Sequence, residues 1–344
     1  MKLGIIGLPF SGRSTVFEVL TRQTAGEGVS LTEDRIAVVR VPDERVQVLT
    51  GMFEPKKTVY AQVEYFLPGT GRAGGRGGRK KNEGGWLAVK ECDALIQVVR
   101  NHGPDRDPVR DFRALEQELI LSDLVQVERR REKIELEQKR GKKMNAEEQE
   151  LFRECQRLLE DGECPLRRAP SVAGNKLLKG FSFLSAKPML VLFNNEDSDA
   201  ALPELEEIGE QERCLVVRGK LEQELARMSP EEAAEFLGEY GIERSGMDRV
   251  IQASYQVLGL MSFFTVRNDE VRAWTIRHGT PAVEAAGTIH SDMQKGFIRA
   301  EVVSYGELIE AGSLVEARRR GRLRLEGKTY PVADGDVINV RFNI

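Results

Sequence analysis

The 344-residue chain is longer than one core usually organises, so two or three domains are expected. Hydrophobic residues at 40% and charged residues at 31% exclude wholesale disorder, and a formal net charge of −4 excludes a uniformly basic nucleic-acid protein while leaving room for local basic clusters. The scattered Cys92, Cys155, Cys164 and Cys214, the lack of a C-x-x-C pair, and the absence of any apolar run near the ~18 residues of a membrane span point to a reducing, cytoplasmic setting with no zinc, metal cluster or membrane insertion.

Residues 2–6 read as a buried strand running straight into a glycine-containing loop, and 14–22 follows with Val16 and Leu20 at helical spacing. Between them Gly7-Leu8-Pro9-Phe10-Ser11-Gly12-Arg13-Ser14-Thr15 fits G-x-x-x-x-G-[K/R]-[ST]-[ST] in the context that pattern requires, after a strand and before a helix. Glycines let backbone N–H groups turn inward around a β-phosphate, and the helix start adds its dipole. Ser14 stands where a Mg²⁺ ligand belongs. Arg13 keeps the charge of the usual lysine but is longer, planar and forked, which suits holding phosphate better than stabilising a transition state.

Short apolar runs at 36–41, 61–67, 94–99 and 189–193, each flanked by polar or turn residues, predict further strands of an α/β sheet. Between the last two, segments 110–140 and 146–161 are rich in Glu, Arg, Lys, Leu and Gln. Leu124, Val127, Arg131 and Ile134 on the first, and Leu151, Cys155 and Leu158 on the second, recur at three-and-four spacing. With the basic turn at 141–145 this predicts an antiparallel helical hairpin, a short coiled coil, inserted into the sheet domain.

Earlier in the chain, 69–81 is a Gly/Arg tract. Its Arg72, Arg76, Arg79, Lys80 and Lys81 suit RNA phosphates, or else form a solvated loop without a partner. After about Met261, runs at 263–265, 271–276, 299–303, 329–332 and 336–342 read as strands, with turns at 277–280 and 334–335 and a helix of small residues at 282–289. In the basic cluster 318–324, Arg322 and Arg324 alternate with Leu323, so they are expected to share one strand face open to RNA.

Taken together these strings resemble the YchF group of Obg-like ATPases. They are the phosphate loop, Val41-Pro42-Asp43-Glu44-Arg45, Glu91-Cys92-Asp93-Ala94, Asp107-Pro108-Val109-Arg110-Asp111 and Lys187-Pro188-Met189-Leu190. Further on, Glu270-Val271-Arg272-Ala273-Trp274-Thr275-Ile276, Lys295-Gly296-Phe297-Ile298-Arg299-Ala300-Glu301 and Asp334-Gly335-Asp336-Val337 look like the TGS domain of that family. The resemblance implies a Ras-like P-loop G domain in two segments, 1–109 and 180–261, interrupted by a helical hairpin at 110–179 and followed by a β-grasp-like TGS domain at 262–344. It also implies Mg²⁺-ATP as ligand and the ribosome as partner. Gly7, Pro9, Ser11, Gly12, Arg13, Ser14 and Thr15 would surround the phosphates, with Ser14 and Thr32 on the metal.

Several positions depart from the family pattern. Phe10 and Arg13 replace its Asn and Lys, Leu67 stands for the Asp that orients Mg²⁺ through water, Thr70 for the glycine that contacts the γ-phosphate, and Thr32 lies one residue out of register. Leu67 cannot accept a hydrogen bond from a metal-bound water. For the base, Asn194 suits a purine N7 edge, Asp197 suits guanine amines although the family favours ATP, and Lys220 alone is retained from the base loop. Three readings follow from the residues. One is a purine-nucleotide-binding protein, for ATP or GTP, that associates with ribosome or RNA and hydrolyses weakly or not at all. A second is a nucleotide-independent ribosome or RNA interaction module on a degenerate scaffold. The third is a competent Mg²⁺-dependent ATPase in which Arg13 acts for lysine and Glu64 or Asp43 replaces the missing Asp.

Overall fold

The computed structural model describes residues 1–22, 33–69, 88–142, 145–162, 164–204, 212–239, 245–267 and 269–343. The strands are β1 (Lys2–Ile6), β2 (Arg35–Arg40), β3 (Lys57–Val59), β4 (Gln62–Leu67), β5 (Ala94–Asn101), β6 (Met189–Asn195), β7 (Arg213–Val217), β8 (Leu260–Val266), β9 (Glu270–Arg277), β10 (Phe297–Ser304), β11 (Arg324–Glu326) and β12 (Asp336–Phe342). The helices are α1 (Arg13–Thr21), α2 (Glu44–Phe53), α3 (Pro108–Lys139), α4 (Ala146–Glu160), α5 (Gly219–Leu225), α6 (Pro230–Glu239), α7 (Gly246–Val257), α8 (Ala282–Ile289), α9 (Ser291–Lys295), α10 (Tyr305–Ala311) and α11 (Leu314–Arg319).

Two six-stranded sheets organise the chain, in the orders β2-β4-β1-β5-β6-β7 and β11-β10-β12-β8-β9-β3. In the first, β4, β1, β5, β6 and β7 pair in parallel. Such strands are covered on both faces, which is why β5 and β6 are almost uninterrupted apolar runs rather than alternating ones. Two compact units result: Met1–Ala37 with Glu64–Val250, and Val38–Val63 with Ile251–Ile344. Residues 38–63, assigned from the sequence to the phosphate-loop domain, fall in the second unit. There β3 adds in parallel to β9, and Arg45 on α2 ion-pairs with Asp334 at 2.8 Å.

The helical hairpin starts where the sequence says it should. Asp107 accepts a hydrogen bond from Arg110 N–H at 3.0 Å and Pro108 takes the first helical position, so both halves of Asp-Pro serve the helix start. After the turn, Asn145 caps α4 by accepting from Glu147 N–H at 2.9 Å. Val127 and Ile134 of α3 and Leu151, Phe152, Cys155 and Leu159 of α4 are buried along the seam. Arg131, expected among the apolar positions, instead donates to Gln156, and Arg130 pairs with Glu148 at 2.6 Å. At the base of the hairpin Glu116 of α3 meets Arg167, Arg168 and Glu212. Arg168 lies 2.9 Å from each carboxylate and Arg167 lies 2.7 Å from Glu212, a buried quartet of balanced charge. Asp123, fully buried on α3, accepts from the Leu184 and Ser185 N–H groups at 2.9 and 2.6 Å.

In the second unit β12 runs parallel to β8, between it and antiparallel β10, with α8 against the sheet: a β-grasp-like arrangement. Small Ala282, Ala285 and Ala286 form the buried face of α8, matching the expected helix. Residues 329–332, expected as a strand, make only the isolated bridge between Pro331 and Pro281. A proline cannot donate to a ladder, and the sheet's edge strand is β11 instead.

Candidate functional site

The phosphate loop closes on itself between β1 and α1. Ser11 N–H donates to Leu8 O at 3.2 Å, and Val16 N–H reaches back to Gly12 O at 2.9 Å. At position 7 only glycine fits, because a Cβ would stand 2.4 Å from Ser11 Oγ and 2.7 Å from Val98 O. Gly12 has φ +90°, and a Cβ there would lie 2.2 Å from Asn194 Nδ2. No side chain caps α1, and no acidic residue occupies its first turn. The first-turn N–H groups, which lack intrahelical partners, therefore face outward uncompeted.

Each side chain of the loop has a distinct place. Arg13 is half-buried, burial lowers its pKa from the usual guanidinium value, and it makes no ion pair or hydrogen bond among the described residues. It remains a cation, since arginine is not deprotonated in proteins. Ser14 and Thr15 are partly exposed in the first turn, and Pro9 is exposed. Ser11 is buried, with its Oγ unpartnered. Phe10 sits at φ +65° with 87% of its surface exposed, a bare ring at the loop tip.

Asn194, at the end of β6, joins the loop to the segment after β7. Its Nδ2 donates to Ser11 O at 3.1 Å, and its Oδ1 accepts from Gly219 N–H at 3.0 Å. Asp197 Oδ1 accepts from Leu221 N–H at 3.1 Å, while Arg218 reaches the Asp197 carbonyl at 3.4 Å. Three expected base-side positions are thus brought together, with Lys220 exposed in the first turn of α5. Asn195, where GTPases place a ring-covering lysine, is buried and structural. It accepts from Asn101 at 2.9 Å and donates to Ala201 O at 2.7 Å. Glu196 is likewise tied to Gly103 N–H at 2.7 Å.

Among the described residues no three His, Cys, Asp or Glu converge on a metal site. Ser14 Oγ is the group at the loop able to ligate directly, so the fit is to a cation held mainly by phosphate oxygens and water. Leu67 is 5% exposed and offers no acceptor. Neither carboxylate expected to replace it does so. Glu64 lies opposite Lys2, three residues before position 67 and about 10 Å from it along the strand, and pairs with Lys2 at 3.7 Å. Asp43 caps α2 and is gripped by Arg45 at 2.9 and 2.8 Å. A carboxylate not singled out from the sequence, Asp34, accepts from Gly69 N–H at 2.9 Å.

Thr32, Thr70, Arg72, Arg76, Arg79, Lys80 and Lys81 lie outside the described residues. Arg322 and Arg324 do not share a strand face: Arg322 precedes β11 and pairs with Glu307 at 3.5 Å. Arg324, on β11, lies 4.0 Å from Glu326 and Asp336 and packs over Tyr330.

Comparison with known proteins bears on the whole chain. A family model described as YchF-GTPase_C, a protein of unknown function (DUF933), matches residues 260–343. The chain is 38% identical to the Ribosome-binding ATPase YchF of Bacillus subtilis, covering 99% of each, and 35% identical to that of Mycoplasma genitalium, covering 100% of each. The solved structure of the Schizosaccharomyces pombe YchF GTPase superposes with a TM-score of 0.83 at 27% identity, over 99% of this chain and 97% of that one.

Proposed function

The chain belongs to the YchF family, and from that premise we propose that it binds purine nucleotide, associates with the ribosome, and turns nucleotide over slowly or not at all. The observation that carries the binding half is the loop itself, with no room for a Cβ at Gly7, a positive φ at Gly12, and Asn194 bracing it against the base-side segment. Arg13, a half-buried cation with no protein partner among the described residues, is the group left to meet phosphate oxygens. ATP is the preferred ligand. Asp197 accepts from Leu221 N–H with one oxygen and, among the described residues, keeps the other for a base amine, while the ATP preference follows the relatives' name.

Bound Mg²⁺ would supply neutralisation of phosphate charge, and Ser14 is the residue that would hold it. Slow turnover is supported by Arg13, a longer and planar cation in place of the family's compact lysine. The C-terminal unit, read as a TGS domain, is the part we assign to the ribosome, and a ribosomal partner supports a cytoplasmic setting.

Titration with labelled ATP and GTP, each with Mg²⁺ and with EDTA, tests the nucleotide half; absence of binding at millimolar concentration overturns it. Co-sedimentation with ribosomes tests the other half. Association that ignores nucleotide favours the interaction-module alternative, and a steep loss with salt identifies phosphate contacts. Arg322 and Arg324, both engaged with carboxylates, must exchange those partners before contacting RNA.

A further inference from the structure

The strand end beside the phosphate loop carries a carboxylate that the proposed function leaves unused. In the parallel pair of β1 and β4, Gly4 lies level with Phe66. The two strands run in parallel and end at Ile6 and Leu67, so Gly69 follows β4 at the same end of the sheet at which β1 enters the phosphate loop. Asp34 Oδ1 accepts from Gly69 N–H at 2.9 Å, so its carboxylate stands at this same end of the sheet.

The position is braced from two sides. Immediately after Asp34, Arg35 pairs with Glu18 of α1 at 3.1 Å, and its guanidinium lies 4.6 Å from the Phe17 ring centroid. The start of β2 is therefore pinned to the helix that the phosphate loop feeds. Asp34 itself is exposed, no cation neutralises it among the described residues, and its Oδ2 has no protein partner there. One exposed hydrogen bond to backbone contributes little to stability, so among the described residues the charge serves no ion pair.

We infer that Asp34 is the positioning residue that stands in for the acceptor missing at Leu67, with Oδ1 anchored on Gly69 N–H and Oδ2 left to accept from the water shell of the nucleotide-bound Mg²⁺. This rests on the nucleotide-binding reading above. The carboxylate comes from the strand neighbouring β4 instead of from β4 itself, so the cation is oriented by a group that arrives from the other side of Gly69.

Asp34→Asn keeps an acceptor for Gly69 N–H and removes the charge, which separates the two roles. Fluorescent ATP is titrated into the full chain and the variant in EDTA and across a Mg²⁺ series. The expected result is an affinity in EDTA within about twofold of the parent, with the Mg²⁺ concentration for half-maximal tightening raised about tenfold to a hundredfold, the range seen when an outer-shell group is lost. An unchanged Mg²⁺ requirement overturns the inference, as does an equal loosening in EDTA and Mg²⁺, which a purely structural tie would give. If the parent binds nucleotide but ignores Mg²⁺, this inference fails alone. If the parent binds none in either condition, the nucleotide-binding reading fails and takes this one with it.

Discussion

Gly12→Ala tests the bracing of the phosphate loop by Asn194. The backbone at Gly12 has φ +90° and ψ 16°, which costs an L-residue about 1–2 kcal/mol. The new Cβ would fall 2.2 Å from Asn194 Nδ2, so the amide must swing away. Swinging breaks its bonds to Ser11 O at 3.1 Å and Gly219 N–H at 3.0 Å, at roughly 0.5–1.5 kcal/mol each. Together these give about 2–5 kcal/mol of destabilisation. Asn194→Ala loses the same two bonds without the backbone strain, so the double variant should exceed Asn194→Ala by only the ~1–2 kcal/mol of strain. Urea unfolding of the parent, both single variants and the double variant measures the coupling. Effects that add to within ~0.5 kcal/mol would refute the shared-contact argument.

Three other outcomes are expected. Arg13→Ala should weaken ATP by about 1.5–3 kcal/mol, the worth of charge-assisted hydrogen bonds, while leaving unfolding unchanged because Arg13 has no protein partner among the described residues; equal affinity by titration rejects its phosphate role. Arg167→Ala should cost about 3–5 kcal/mol in urea unfolding, since it leaves buried Glu116 and Glu212 to Arg168 alone. Burial raises the Asp123 carboxyl from 3.8 to about 6, against the lowering effect of its hydrogen bonds. Between those values the folded chain holds a proton that the unfolded chain has lost, so stability falls by about 3 kcal/mol as pH rises from about 4 to 6 and is flat above. Asp123→Asn titrates in neither state and should abolish that slope in a melting-temperature profile; a slope that survives assigns it elsewhere.

Local signals carried much of this architecture. The strand, loop and helix at the start are legible because phosphate-loop glycines answer to backbone geometry within a dozen residues. The hairpin is legible because Asp107-Pro108 and Asn145 cap their own helices. Helix α10 was missed, although Ser304-Tyr305-Gly306-Glu307 spells a capping box that the structure forms. The contacts that define the site were not legible, because they join residues far apart in sequence. Asn194 and Ser11 are 183 residues apart, and Asp34 and Gly69 are 35 apart. No window of neighbouring residues contains either pair. Glu64 looked like a substitute carboxylate for the same reason, since only strand register reveals that it stands level with Lys2, back along β4 from position 67.

The central place of β12 sets a condition on biosynthesis. Its residues, Asp336–Phe342, hydrogen-bond to β10 on one side and β8 on the other. Until residue 342 has left the exit tunnel, β8 and β10 have no strand between them, and the earlier hairpin of β8 and β9 presents an unpaired edge. The unit that holds β8, β9 and β10 must therefore close only after β12 has been made, and nascent chains stalled short of β12 should be the protease-sensitive species.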